Sequence, residues 1–431
     1  MRHRIGKVLA VTAALAVTAG FATACGDSNE AGGTTPDGKI ELVVATFNEF
    51  GYEELFKEYE ATHPNIRIVH RKTGQAGPHH QNLFTKLGAG SGLADIEAVE
   101  EGYLSRVMAR AGQFHDLKEI GPKDVTTDRW LPWKVEAATD KNGRLIGYGT
   151  DIGPMVMCYR KDLFEAAGLP TDPEGVRQIF ATWDSYFAAG EKFVANSDAA
   201  WFDSAAQVFS AMHNQLEVGL YDRDDNLVIE TNPGIKDAWD KVTRAVAQGQ
   251  SAKLVAFSNE WNTAFKTGAF ATKTCPSWML GVIKEQAGPE NAGKWAVADT
   301  FPNGSGNWGG SYLTVPKQSK HPKEAAELAA WLTAPEQQIK AFQAKGPFPS
   351  QVEALNSPEL LEQTDEYFGG VQTGKIFAEQ ARKIPRAQYK GPADGEIQET
   401  VIRAALQAVE QGSSSEEGWR QAVEGAKKAA K

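Results

Sequence analysis

From Lys39 to Ala111 the sequence alternates between two hydrophobic periods, and that alternation constrains the fold more than any other feature. "KIELVVATF", Lys39 to Phe47, is a β-branched run bounded by Gly and Asn, which predicts a buried strand. Tyr52 to Ala61 reads as a helix, "NIRIVHR" as a strand, and His80 to Ala89 as a helix. "ADIEAV", Ala94 to Val99, is a strand again, and Tyr103 to Ala111 is helical. Strand–helix alternation of this kind predicts an α/β fold, a parallel sheet with helices on both faces. Ligands of such sheets bind at the carboxyl ends of the strands. Here those ends carry Asn48, Glu49, Glu100 and Glu101.

Further on, Leu145 to Tyr148 and Met155 to Tyr159 read as extended pieces, with Gly149, Asp151, Gly153 and Pro154 breaking the chain between them. Asp162 to Gly168 is a short helix with a Gly-Leu-Pro stop. Helices are expected at Thr182 to Asn196, Ala205 to Gln215 and Pro233 to Gln248. Strands return at Phe270 to Cys275 and in "NWGGSYLTVP", and helices then dominate, with Ile397, Val401, Leu406 and Val409 on one stripe. The chain has 431 residues, enough for one large or two medium domains. Its net charge of −10 is spread over the surface and argues against a nucleic-acid partner.

The amino terminus is of another kind. Arg2, His3, Arg4 and Lys7 precede a run from Val8 to Ala24 made only of Val, Leu, Ala, Thr, Gly and Phe. Such small apolar residues make a weak membrane span and a good signal sequence. Ala22-Thr23-Ala24-Cys25 closes the run and resembles the lipobox of bacterial lipoproteins. That resemblance implies a signal peptide over 1–24, a lipid on the Cys25 thiol, and a flexible tether over 25–38. Two or three acyl chains hold a protein to a membrane far more firmly than one. The expected product is exported and held on the outer face of the cell membrane by lipid alone.

Several longer stretches carry a wider resemblance. They are "NEFGYEELFKEYEATHPNIRI", "LGAGSGLADIEAVE", "GTDIGPMVMCYRKDLFEAAGLP", "FKTGAFATKTCPSWMLG", "NWGGSYLTVPKQSKHPKEAAELAAWLTAPEQQ" and "GPFPS". Together, in this order, they resemble the family 1 extracellular solute-binding proteins of ABC importers, the maltose-binding-protein type. "TDIGPMVMCYRKDLFEAAGLPTD", "CPSWMLGVIKEQ" and "NWGGSYLTVPK" are similar to the cellobiose- and cello-oligosaccharide-binding lipoproteins of actinomycetes. The resemblance implies two α/β lobes joined by crossing hinge strands, closing on a sugar between them. One lobe would comprise 38–151 plus 310–355 and the other 152–309 plus 356–431. The implied partners are an oligosaccharide and a membrane permease with its cytoplasmic ATPase. The implied protein is a monomer without catalytic residues, cofactor or metal.

A β-linked glucan offers flat C–H faces to aromatic rings and equatorial hydroxyls to carboxylates and amides. Trp278 matches the place of a sugar-stacking Trp in the family. Trp308 precedes Gly309-Gly310, where backbone bulk is minimal, and Trp261 opens a helix in the same region by motif order. Asp151 stands alone at the first break, as a hydroxyl ligand or a turn cap. Asn48, Glu49 and Glu100 match family positions at strand ends. Asp203 is either a helix N-cap or a hydroxyl ligand, and Phe202 beside it a wall of the cleft. Trp331 reads as core, and Trp130 and Trp133 as packing on a lobe surface. By the family alignment Cys158 and Cys275 lie on neighbouring strands and pair in an exported protein. His79-His80 reads as part of a solvated loop, because nothing nearby completes a metal site.

Two other functions compete with the importer reading. A surface glycoside hydrolase would need two carboxylates in a cleft, and the acidic residues are numerous enough to supply them. The same binding role could instead serve a xylo-oligosaccharide or another di- or oligosaccharide, since a few pocket residues set sugar identity.

Overall fold

The computed structural model describes residues 32–384 and 388–431, so the signal sequence and Cys25 lie outside the described residues. Two lobes are built around separate sheets. The first sheet has five strands, β1 (Ile40–Phe47), β2 (Ile66–Thr73), β3 (Ile96–Glu100), β4 (Gly147–Gly149) and β10 (Ser311–Thr314), in the order β2-β1-β3-β10-β4. The second has β6 (Met155–Arg160), β7 (Ala200–Phe202), β8 (Phe270–Pro276) and β9 (Trp295–Val297), in the order β7-β8-β6-β9. The wholly parallel sheet expected from the alternation is corrected to a mixed one. β1 runs parallel to β2 and β3, but β10 is antiparallel to both β3 and β4. β10 is contributed by a distant part of the chain, so no βαβ crossover fixes its direction.

Strand β6 shows why its sequence carries no charge from Met155 to Tyr159. Met155, Met157 and Tyr159 enter one core of the second lobe, with Phe164, Trp201 and Trp239. Val156 and Cys158 enter the other, with Trp261, Phe270, Cys275 and Trp295. Side chains alternate across a strand, so a strand covered on both faces has no polar side to show. Cys158 and Cys275 are joined by a disulfide across β6 and β8, with Cα atoms 5.7 Å apart. Trp130 and Trp133, expected on a lobe surface, are corrected to buried positions, Trp130 stacked on Tyr148 with its indole N–H donating to Gly149 O at 2.8 Å.

The lobes meet where three segments cross. Short strands β5 (Asp151–Ile152) and β11 (Phe348–Pro349) pair antiparallel. Beside them Trp308 N–H donates to Gly153 O at 2.8 Å, and Gly153 N–H donates to Asn307 Oδ1 at 2.8 Å. A Cβ on Gly153 would stand 1.9 Å from Trp308 O, so only glycine lets these backbones cross so closely. The helix Pro335–Lys345 serves both lobes: Ala341 packs in the first core, Ile339 and Phe342 in the second. Phe348 and Leu355 also pack in the second lobe's core, so the 310–355 segment expected in the first lobe contributes to both.

Part of the expected tether is folded. Gly32 N–H donates to Asp95 Oδ2 at 2.8 Å, Glu41 N–H donates to Gly33 O at 2.8 Å, and Thr34 bridges Ile40. The chain is therefore pinned to β1 from Gly32 onward rather than from Gly38.

Candidate functional site

A cleft of about 1580 Å³ lies between the lobes. The carboxyl ends of β1 and β3 form its first wall. Asn48 follows β1 with φ at +45°, a left-handed conformation that Asn tolerates better than most residues. Glu49 is held by ion pairs to Lys72 at 2.5 Å and Lys345 at 3.5 Å. Glu100 ends β3 and caps the helix Glu101–Met108, its Oε2 accepting from Gly102 N–H at 2.8 Å. Burial, with the nearby charges of Glu399 and Glu101, pushes the Glu100 carboxyl well above its usual range.

The expected solvated loop at His79-His80 is corrected: both side chains are buried in the helix Ala76–Ala89. His80 Nδ1 pairs with Ala76 O at 2.7 Å and Nε2 pairs with Glu100 N–H at 3.0 Å. The carbonyl can only accept and the amide can only donate, so the ring is neutral with its proton on Nδ1. Burial holds its pKa down at about 3. The ring stacks on Tyr103 at 4.0 Å. His80 thus supports two cleft residues from behind.

The hinge forms the floor. Asp151 Oδ1 accepts from Ser311 N–H at 2.9 Å and from Thr150 Oγ1 at 2.5 Å, so a turn-capping role is present at a position that also lines the cleft. Burial raises its pKa, against the pull of the buried Lys134 ammonium. The rings of Trp278 and Trp308 meet edge to face at 6.3 Å, with Trp278 Nε1 3.3 Å from Trp308 O. Gly309 lies between them and the first wall, where an added Cβ would stand 3.6 Å from Trp278 Nε1 and 3.8 Å from Glu100 Oε1.

The second wall is the helix Ala205–His213 and the segment around Glu399. Gln207, Ser210 and Asn214 fall at i, i+3 and i+7, on one face of an otherwise apolar helix, and all three line the cleft. Gln398 and Glu399 come from a wide turn at Ile397–Ile402, and Arg403 opens the helix that follows it. That turn has i→i+5 character, and it brings the buried Ile397 and Ile402, five residues apart, into the core that Leu406 and Val409 of the following helix also enter. Phe257, 41 % exposed and at φ +67°, stands at the lip.

Six sequence-predicted residues are thus brought together: Asn48, Glu49, Glu100, Asp151, Trp278 and Trp308. Three are not. Phe202, Asp203 and Trp261 are each 0 % exposed and lie beneath the second wall. Trp261 opens a helix capped by Ser258, and its indole N–H donates to Asp203 Oδ2 at 2.7 Å. Asp203 also pairs with the buried Lys273 at 3.0 Å, while Ser204, not Asp203, caps the following helix. The three residues expected to touch a ligand are therefore core, with the Trp261 indole N–H and Asp203 Oδ2 directed at each other. Gln207, Ser210, Tyr103 and Glu399 are cleft residues that sequence reasoning missed. For the first two, the polar spacing on an apolar helix was a readable signal. Among the described residues no group of three or more His, Cys, Asp or Glu is placed to hold a metal.

Residues 54–366 match the family described as bacterial extracellular solute-binding protein. The chain is 28 % identical over 368 residues to the arabinooligosaccharide-binding protein of Bacillus subtilis (strain 168), covering 77 % of this chain and 78 % of that one. It is 25 % identical over 386 residues to the lactose-binding protein of Rhizobium radiobacter, covering 86 % and 87 %. Among solved structures, a member of extracellular solute-binding protein family 1 superposes with a TM-score of 0.81 at 51 % identity, covering 91 % of this chain and all of that one.

Proposed function

The chain belongs to the bacterial extracellular solute-binding protein family, and from that premise we propose that it captures a β-linked oligosaccharide, cellobiose or a cello-oligosaccharide, outside the cell. It delivers the sugar to a membrane permease driven by a cytoplasmic ATPase, and a lipid on Cys25 keeps it at the membrane. One observation carries the proposal. Two tryptophan rings and the Glu100 carboxyl converge around Gly309 at the base of a cleft between two lobes. Rings that can stack on sugar C–H faces, beside groups that pair with hydroxyls, are what a saccharide needs. Trp278, Trp308, Asp151, Asn48, Glu49 and Glu100 are the proposed contacts, with the lobes dividing near 151, 310 and 355. Closure over the sugar shifts the balance between open and closed forms and requires no covalent step.

The relatives favour a second reading of the same role, since they are named as binding proteins for arabinooligosaccharide and lactose. Calorimetric titration of the chain from Gly26 onward with cellobiose, cellotriose, xylobiose, lactose, maltose and arabinotriose separates the two. Tight binding of the cello-sugars alone supports the proposal. Preference for another sugar keeps the importer role and removes the cellobiose assignment. Glucose released from cellotriose would replace binding with hydrolysis, and silence with every sugar would remove the substrate class.

A further inference from the structure

Beneath the second wall lies a charged network that the binding reading does not use. Lys273 and Asp203 are each 0 % exposed and paired at 3.0 Å. The Lys273 ammonium also donates to Gln207 Oε1 at 2.9 Å, and it lies 6.0 Å behind the Trp308 ring. Burying an ammonium and a carboxylate is costly even when they are paired. Their reach to two cleft residues points to a role beyond stability.

The chemistry of the pair fixes the direction of Gln207. An ammonium only donates, so the atom it meets must be the amide oxygen. The amide nitrogen is then turned away, and among the described residues Gln207 Nε2 donates to nothing. The residue is only 8 % exposed and lines the cleft. The opposite wall is rich in acceptors, Glu49, Glu100 and Glu101. Resting on the oligosaccharide reading above, we infer that Gln207 is a specificity-determining contact, locked by Lys273 as a hydrogen-bond donor to an acceptor oxygen of the ligand. The oxygen is a hydroxyl whose own proton is given to another acceptor, or a ring or glycosidic oxygen. Lys273 acts as a positioning residue.

The test uses the chain from Gly26 onward and the tightest-binding sugar of the panel above. Gln207→Met is expected to weaken binding about tenfold or more, the cost of a buried donor contact, with the melting temperature within a few degrees of the parent. Gln207→Glu keeps an oxygen for Lys273 but supplies no donor, so it weakens binding as much. Lys273→Arg also only donates and retains binding. In selectively ¹⁵N-glutamine-labelled protein, the Gln207 side-chain amide resonances shift on adding the sugar. Unchanged affinity in Gln207→Met overturns the inference alone. Parental affinity in Gln207→Glu overturns the donor assignment, because an acceptor would then serve as well. A parent chain that binds no sugar at all takes down the functional reading and this inference with it.

Discussion

The Tyr103 hydroxyl donates to Glu399 Oε2 at 3.0 Å across the cleft, joining residues 296 positions apart in sequence and one on each lobe. Ser105 Oγ reinforces the contact by donating to Gly391 O at 2.7 Å. A hinge motion that parts the lobes must break both. Tyr103→Phe keeps the ring that stacks on His80 and removes only the donor. A hydrogen bond of this kind contributes about 1 kcal/mol, roughly fivefold in an equilibrium. The variant is expected to have a larger radius of gyration by X-ray scattering and to bind sugar several-fold more weakly. An unchanged radius and affinity would mean the contact does not influence closure.

Trp278 and Trp261 were expected to act alike, and the structure separates them. Trp278 lines the cleft, whereas Trp261 is wholly buried against Asp203. Trp278→Ala is therefore expected to lower sugar affinity by tenfold or more, of the order seen for buried aromatic anchors, with a small change in melting temperature. Trp261→Phe loses a hydrogen bond to a charged group and is expected to cost about 1–3 kcal/mol of stability, with affinity changed less than in Trp278→Ala. Urea unfolding and titration of both variants decide it, and the reverse pattern would refute the assignment of the two rings.

What was legible in the sequence was local. The β-branched run at Ile40–Phe47 and the Gly and Pro breaks between Gly149 and Pro154 announce a strand and a crossing without reference to the rest of the chain. Depth was not legible. Phe202, Asp203 and Trp261 are near the cleft in motif order, but whether an indole N–H meets a sugar or a buried Asp depends on Lys273, on another strand. His79 and His80 read as a solvated loop because nothing nearby completes a metal site, and the expected helix opened only at His80, after Pro78. The helix in fact begins at Ala76 and holds that proline in its first turn, where a missing N–H costs nothing. Strand direction was equally hidden, since β10 reaches its sheet from more than two hundred residues away. Glu399 could not be matched with Tyr103 from sequence, because nothing local links them.

The cystine should matter for stability and little for binding. Cys158 and Cys275 close a loop of sequence separation 117, and neither lines the cleft. Removing a bridge over so long a loop typically costs about 2–5 kcal/mol. Cys158→Ala with Cys275→Ala is expected to lower the unfolding free energy measured by urea titration by that amount while leaving sugar affinity within about twofold. Affinity lost in step with stability would show that the β6–β8 pairing positions the cleft, because Lys273 lies on β8 beside the bridge.

Glu97 supplies a pH dependence whose sign can be worked out. It lies in the centre of the first sheet, its Oε1 accepting from Ala94 N–H at 2.8 Å. Its Oε2 is 3.8 Å from His79 Nε2, but that nitrogen also pairs with Ala98 O at 2.8 Å, and burial lowers the His79 pKa, so the ring provides no cation. Burial raises Glu97 from 4.5 to about 7. The folded state therefore holds the proton more tightly than the unfolded chain. The stability this adds is full below the unfolded value and is lost as pH rises through the folded one. The buried histidines act in the opposite sense: burial holds His213 well below its usual value, and His80, with its pKa lowered to about 3, adds stability above 6.5 that is lost as pH falls. The whole-protein profile mixes the two, so the informative quantity is a difference. Glu97→Gln keeps the acceptor for Ala94 and cannot titrate. Its melting temperature minus that of the parent is expected to increase steadily from pH 4.5 to 7 and then level off. A difference that stays flat over that range would mean Glu97 is ionised in the folded protein throughout.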